Sequence, residues 1–209
     1  MDANTIKKAL TEQRRIGLTG NLYYKTQIDF AYNTNHMEGS TITPDETASI
    51  YDTGSILLSK DKVLLLKDVT ETNNHFTLFK YMLDTLDEEL SEKMIKHYHF
   101  ILKNGTLTEE EKEWFNIGEY KKLKNYVGNI ITSSPGDTEK DMRDLLKLYQ
   151  SINKIDLQDI IEFHARFEKI HPFQDGNGRV GRRLMFRECL CIYIVAFYIE
   201  DRNNEFYSR

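Results

Sequence analysis

Residues 171–182 read HPFQDGNGRVGR, and this run gathers the side chains of the sequence best suited to phosphate chemistry. Gly176, Gly178 and Gly181 lack the Cβ that keeps a ligand away from the backbone, so their N–H groups can meet an anion closely. A helix beginning near Asn177 would add its positive end to the same place. Arg179 and Arg182 are three apart and so neighbours on one helical face. Two adjacent guanidinium groups repel unless an anion or a carboxylate lies between them, and the pair therefore invites a polyphosphate. Asp175 offers a hard oxygen for the divalent cation that accompanies nucleotide phosphates. His171 is the one side chain of the run that takes a proton near neutral pH. Each feature alone has a bland explanation as a turn, a core histidine or solvated arginines. All of them within twelve residues would be an odd accident.

Such a loop needs helices to hold it. Apolar residues Ile160, Ile161, Phe163, Phe167 and Ile170 recur at helical spacing across 157–170 just before it, and 180–192 forms another helix after it. Upstream, helices are predicted over 21–37, from Pro44 to about Thr53, and over 74–86, 91–102 and 137–153. Thr43-Pro44-Asp45-Glu46 supplies an N-cap, a first-turn proline and a capping-box glutamate. Between them, Tyr126 to Thr132 is β-prone and carries a Gly-Asn pair, which predicts a small hairpin. With only Pro44, Pro135 and Pro172 as prolines, the rest leans helical. The fold class expected is all-α with one β-hairpin, in a single unit over 1–209, with N-terminal helices over 1–70 and a catalytic core over 71–209.

The 209 residues are enough for one core, and 40% hydrophobic with 29% charged residues places the chain in the ordinary soluble class. No apolar run approaches the roughly 18 residues of a spanning helix. Residues 1–15 have no apolar core of a secretory signal, so a cytoplasmic location is expected, with no membrane partner. A net charge of −5 argues mildly against nucleic-acid binding. Cys189 and Cys191 are too close for an ordinary disulfide and lack a zinc framework, so reduced core cysteines are expected.

HPFQDGNGRVGR matches the Fic-domain signature HPFx(D/E)GNGRxxR at every specified position, and the chain is identified as a member of that family by resemblance. The run KKLKNYVGNIITSSPGD, Lys121 to Asp137, resembles the family's flap hairpin, and GRRLMFRECLCIYIVAFYIEDRNNEFY resembles the helix and following segment that succeed the motif. The resemblance implies an enzyme that binds ATP with Mg²⁺ and transfers AMP to a Ser, Thr or Tyr hydroxyl of a protein, with self-modification a frequent side activity. It makes His171 the general base and Asp175 the Mg²⁺ ligand. Gly176, Asn177 and Gly178 become the anion hole, and Arg179 with Arg182 the clamp on the β- and γ-phosphates. Val127, Gly128, Asn129 and Ile130 lie where the family places backbone contacts to the nucleotide, and the hairpin edge is suited to pairing with an extended target segment. Family chains commonly continue past an aromatic pair, here Phe206-Tyr207, into a helix of the adenine pocket. The sequence given ends at Arg209, so either it is truncated or Tyr207 and the flap complete that pocket.

Thr34-Asn35-His36-Met37-Glu38-Gly39 fits the (S/T)xxxE(G/N) pattern that many Fic proteins carry before their core. By itself Glu38 would be a carboxylate beside the negative end of a helix, electrostatically unhelpful unless a cation pairs with it. The resemblance names Arg182 as that cation, and the pair as an inhibitor occupying the place of the γ-phosphate. The same glutamate orients a water in family members that remove AMP, so a de-adenylylating hydrolase using Glu38 and His171 is an alternative. Transfer of the γ-phosphate is disfavoured, since a relative with that activity carries Lys where Gly178 stands here. A non-catalytic nucleotide-binding module is the third reading, but neither His171 nor Asp175 is lost. The 12 tyrosines leave room for an interface and hence a homo-oligomer.

Overall fold

The computed structural model describes residues 3–58, 61–128 and 130–193. Among them are eight α-helices and one two-stranded hairpin: α1 Ala3–Ile16, α2 Leu22–His36, α3 Pro44–Thr53, α4 Leu66–Asp84, α5 Glu92–Lys103, β1 Tyr126–Val127, β2 Ile130–Ile131, α6 Thr138–Gln150, α7 Leu157–Ile170 and α8 Asn177–Cys191. The all-α class with a small hairpin holds, and Tyr126 pairs with Ile131 and Val127 with Ile130 in antiparallel register.

Local chemistry explains most of the boundaries. Asn21 caps α2 by accepting from the Tyr24 amide at 2.8 Å. Thr43 and Glu46 form a reciprocal capping box at the start of α3, and Gly54 ends that helix in the left-handed region. Asp156 and Asp159 form a second box at the start of α7. Two helices differ from expectation. α1 is not among the helix spans predicted, although Gly17 ends it with φ of 66°, and α4 begins at Leu66, eight residues before the Asn74 predicted. Its first two turns hold Thr70, Glu71 and Thr72, whose polar side chains mask the helical period.

α8 is the axis of the fold. Asn177 and every residue from Arg179 to Leu190 are buried, so this helix is enclosed all round. Leu78, Phe79, Ile95, Tyr98, Met142, Phe167, Val180 and Leu190 belong to one core cluster drawn from α4, α5, α6, α7 and α8. A smaller cluster, Ile28, Ala31, Ile42, Ile50 and Phe76, seats α2 and α3 on α4. Cys189 lies fully buried in the main cluster, and both cysteines are free thiols, as expected; burial pushes the Cys189 thiol up to about 11. No helix among the described residues is long and apolar enough to cross a membrane.

Candidate active site

α7 ends at His171, whose backbone takes the left-handed conformation with φ of 52° while its amide donates to the Phe167 carbonyl at 2.9 Å. A residue with a Cβ rarely adopts that region, and such strain concentrates where a side chain must be aimed. The His171 ring faces the Glu168 carbonyl through Nδ1 at 3.3 Å. Burial lowers its pKa, so the imidazole is neutral at neutral pH, the form a base requires.

The loop that follows is held from both sides. Asn177 accepts from the Phe173 amide at 2.7 Å and donates to the Phe173 carbonyl at 2.8 Å. Its side chain is thereby committed to shaping the loop, which leaves the backbone N–H groups of the first α8 turn as its contribution to an anion site. From α5, His99 stacks on Phe173 with centroids 4.0 Å apart. The Gly118 amide donates to His99 Nδ1 at 2.8 Å, so Nε2 carries the hydrogen and donates to the Asp175 carbonyl at 3.1 Å. Burial drives the His99 pKa down to about 3 and keeps this neutral tautomer. Sequence reasoning missed His99, whose only signal is a histidine on an otherwise apolar helix face.

The glycines divide their tasks. Gly176 caps α8 with φ of 80°, offers no side-chain cap, and packs its open side on the stem of Lys103. At Gly178 a Cβ would stand 2.7 Å from Glu38 Oε1 and 2.9 Å from Arg182 Nη1, so the missing side chain is what lets these groups lie against the α8 N-terminus. Gly181 corrects the sequence reading. Its open side faces Glu168 and His164 at 2.4 and 2.9 Å from a built Cβ, which makes it a packing glycine and not an anion contact.

The two arginines take different carboxylate partners. Arg182 donates from Nε to Thr34 Oγ1 at 2.6 Å and from Nη2 to the Thr34 carbonyl at 3.1 Å and to Glu38 Oε1 at 2.6 Å. Glu38 and Arg182 thus form the expected ion pair, 144 residues apart in sequence. Arg179 turns to α4, pairing with buried Glu71, and donates to Asp175 Oδ1 at 3.1 Å. Asp175 also accepts from Lys103 Nζ at 2.7 Å. Burial alone would raise the Asp175 pKa, but the Arg179 and Lys103 charges hold it well below the usual carboxylate range. Glu71 and Lys103, both buried, are two further residues that sequence reasoning missed.

The hairpin is fastened to this loop at its base. Lys121 is buried, with Nζ donating to Asn125 Oδ1 at 2.7 Å, Thr132 Oγ1 at 2.8 Å and the Ile170 carbonyl at 3.0 Å. Asn125 Nδ2 donates to the Phe173 carbonyl at 2.8 Å, and the Leu123 amide donates to Gln174 Oε1 at 3.1 Å. Val127 and Gly128 sit at the exposed end, Gly128 with φ of 55°. Ile130 is described as backbone in β2. Asn129 and Tyr207 lie outside the described residues. A wider groove of about 840 Å³ lined by Tyr81, Lys93, His97 and Phe100 contains none of the motif residues.

The described helices thus bring together an uncapped helix N-terminus, a half-buried histidine and two arginines. Residues 71–189 match the model of the Fic/DOC family, over half of the chain, and the chain belongs to that family. It is 28% identical over 165 residues to "Protein adenylyltransferase Fic" of Nematostella vectensis, covering 74% of this chain and 35% of that protein. It is 21% identical over 169 residues to "Protein adenylyltransferase fic-1" of Caenorhabditis elegans, covering 77% and 31%. The chain therefore spans about a third of the length of these relatives. Among solved structures, a Fic domain containing signaling protein from Bacteroides thetaiotaomicron superposes with a TM-score of 0.73 at 24% identity, over 88% of this chain and 69% of that one. Fic-1 of C. elegans gives 0.71 at 16%, over 97% and 62%. At these identities the structural likeness speaks for the fold.

Proposed function

We propose that this chain is a protein adenylyltransferase, moving AMP from ATP to a hydroxyl side chain of a protein, and that Glu38 restrains it. The observation that carries the reading is the Glu38–Arg182 ion pair lying against Gly178 at the head of α8. An anion is already drawn to the place where an anionic ligand would sit. In the reaction, the acceptor oxygen attacks the α-phosphorus, the new O–P bond forms, and the bond to the bridging oxygen of pyrophosphate breaks. His171 takes the acceptor's proton on Nε2, since Nδ1 faces the Glu168 carbonyl. The α8 N–H groups and, once Glu38 is displaced, Arg182 neutralise charge on the triphosphate, and Arg179 acts from the other side of the helix head.

Asp175 fits a nucleotide-borne Mg²⁺. Its side chain is 40% exposed, and Oδ1 accepts from Arg179 at 3.1 Å. Mg²⁺ held through one carboxylate and substrate phosphates needs no further protein ligands. Bound there, it would offset phosphate charge. The flap, through Val127, Gly128, Asn129 and Ile130, would bind nucleotide and target backbone, with Tyr207 toward the adenine. Residues 1–70 would serve as the regulatory part and 71–209 as the catalytic core. Self-modification belongs to the same chemistry.

The test incubates Glu38→Gly, and Glu38→Gly combined with His171→Ala, with ATP labelled at the α- or the γ-phosphate. Protein-bound label from the α-position only, lost by at least about 10²-fold in the double variant, is expected. Label from the γ-position, or an undiminished double variant, would refute the assignment. Removal of AMP from a modified protein, with no transfer, would point to the hydrolase.

A further inference from the structure

Lys103 is a cation of the site that the motif does not contain. It closes α5, its stem crosses Gly176, and its ammonium reaches both buried Glu71 and Asp175 Oδ2, the latter at 2.7 Å. The lysine is 0% exposed, an arrangement rare for lysine unless carboxylates hold it. Glu71 in turn pairs with Arg179, and Arg179 with Asp175, so the four side chains form a closed ring of two carboxylates and two cations. The ring carries no net charge. Without Lys103 it would carry one negative charge beside the place assigned to a triphosphate, and a nucleotide would need an external cation to approach Asp175 at all.

Resting on the adenylyltransferase reading, we propose that Lys103 is the built-in counter-cation of the nucleotide site: by neutralising Asp175 it lets the site bind ATP without a divalent ion. Mg²⁺ then competes with an ammonium already seated on the carboxylate. The dependence of nucleotide binding on metal is accordingly set by a residue outside the HPFQDGNGRVGR run, on a different helix. Lys103 acts here through Asp175 and the charge of the ring, as a positioning residue.

The experiment is calorimetric titration of ATP into Glu38→Gly and into Glu38→Gly with Lys103→Met, each in MgCl₂ and in EDTA, with a thermal melt of each protein. Glu38→Gly is expected to bind ATP in EDTA within about threefold of its affinity in MgCl₂. Lys103→Met should lower the affinity in EDTA roughly tenfold or more, the size of a charge-assisted contact, while changing that in MgCl₂ by less than about threefold. An equal loss in both buffers, or none in either, would overturn the proposal while leaving the adenylyltransferase reading intact. Failure of Glu38→Gly to bind ATP in MgCl₂ would overturn both. Because Lys103→Met leaves buried Glu71 short of a partner, Lys103→Met with Glu71→Gln removes one charge of each sign and leaves the ring neutral through Asp175 and Arg179; it should bind ATP in EDTA within about threefold of Glu38→Gly, and a roughly tenfold loss there would overturn the proposal.

Discussion

At the scale of single residues, Gly181 shows how closely α7 and α8 are fitted. A methyl group there would stand 2.4 Å from Glu168 Oε1 and 3.1 Å from His164 Nδ1, and that oxygen of half-buried Glu168 is itself enclosed and unpartnered. Gly181→Ala should therefore cost about 1–3 kcal/mol, read as a lower urea midpoint with an unchanged m-value. Asn177→Ala should cost about 2 kcal/mol by removing both bonds to Phe173, and should slow AMP transfer with it because the His171 loop loses its inner brace. Unchanged stability in either variant would contradict the packing described. The glycines were visible in the sequence as a class, but their separate duties were not. Nothing in GNGRVG tells which open side meets Glu38, which Lys103 and which Glu168, because that depends on residues from α2's end, α5 and α7.

At the scale of elements, the hairpin and the loop of residues 171–176 are joined because Lys121 and Asn125 tie both strands' bases to Ile170 and Phe173. The ammonium has three neutral acceptors, and burial lowers its pKa to about 8. Lys121→Met should raise amide hydrogen exchange across the hairpin and lower kcat together with it, whereas Lys122→Met, at an exposed position, should do neither. Equal exchange in the two variants would remove the coupling. The hairpin itself was legible from its β-prone run and Gly-Asn turn. Lys121 was not, since in KKLKN it looks like any solvated lysine, and only the return of α7 past the strand bases encloses it. The first turns of α4 were missed for a related reason: their hydrophobic period is diluted by polar residues, Glu71 and Thr72, that tertiary contacts bury.

At the scale of the molecule, three buried histidines set a pH limit. Burial lowers His99 to about 3 and His164 to about 4, and lowers His75 well below its ordinary value of 6.5. Each folded-state pKa lies below the unfolded one, so the unfolded chain binds more protons as pH falls below about 6.5, and stability is lost in that direction. Glu168 has the opposite sign. Burial raises it from 4.5 to about 7, so its contribution is present at low pH and fades as pH rises through 7. The melting temperature is expected to fall steadily from pH 6.5 to pH 4 because three groups outweigh one, and a flat or rising profile there would contradict the burial assigned to these histidines. The helical architecture was legible because its signals are local. The ring of Glu71, Lys103, Asp175 and Arg179 was not, because three helices and the motif loop build it.

The most direct test of the account compares initial rates of AMP transfer by the wild-type chain and Glu38→Gly at the same Mg²⁺-ATP concentration. Release of Arg182 from its carboxylate should raise the rate at least about tenfold, the worth of one charge-assisted contact restored to the nucleotide. Equal rates would mean that the ion pair at the head of α8 does not restrain the site.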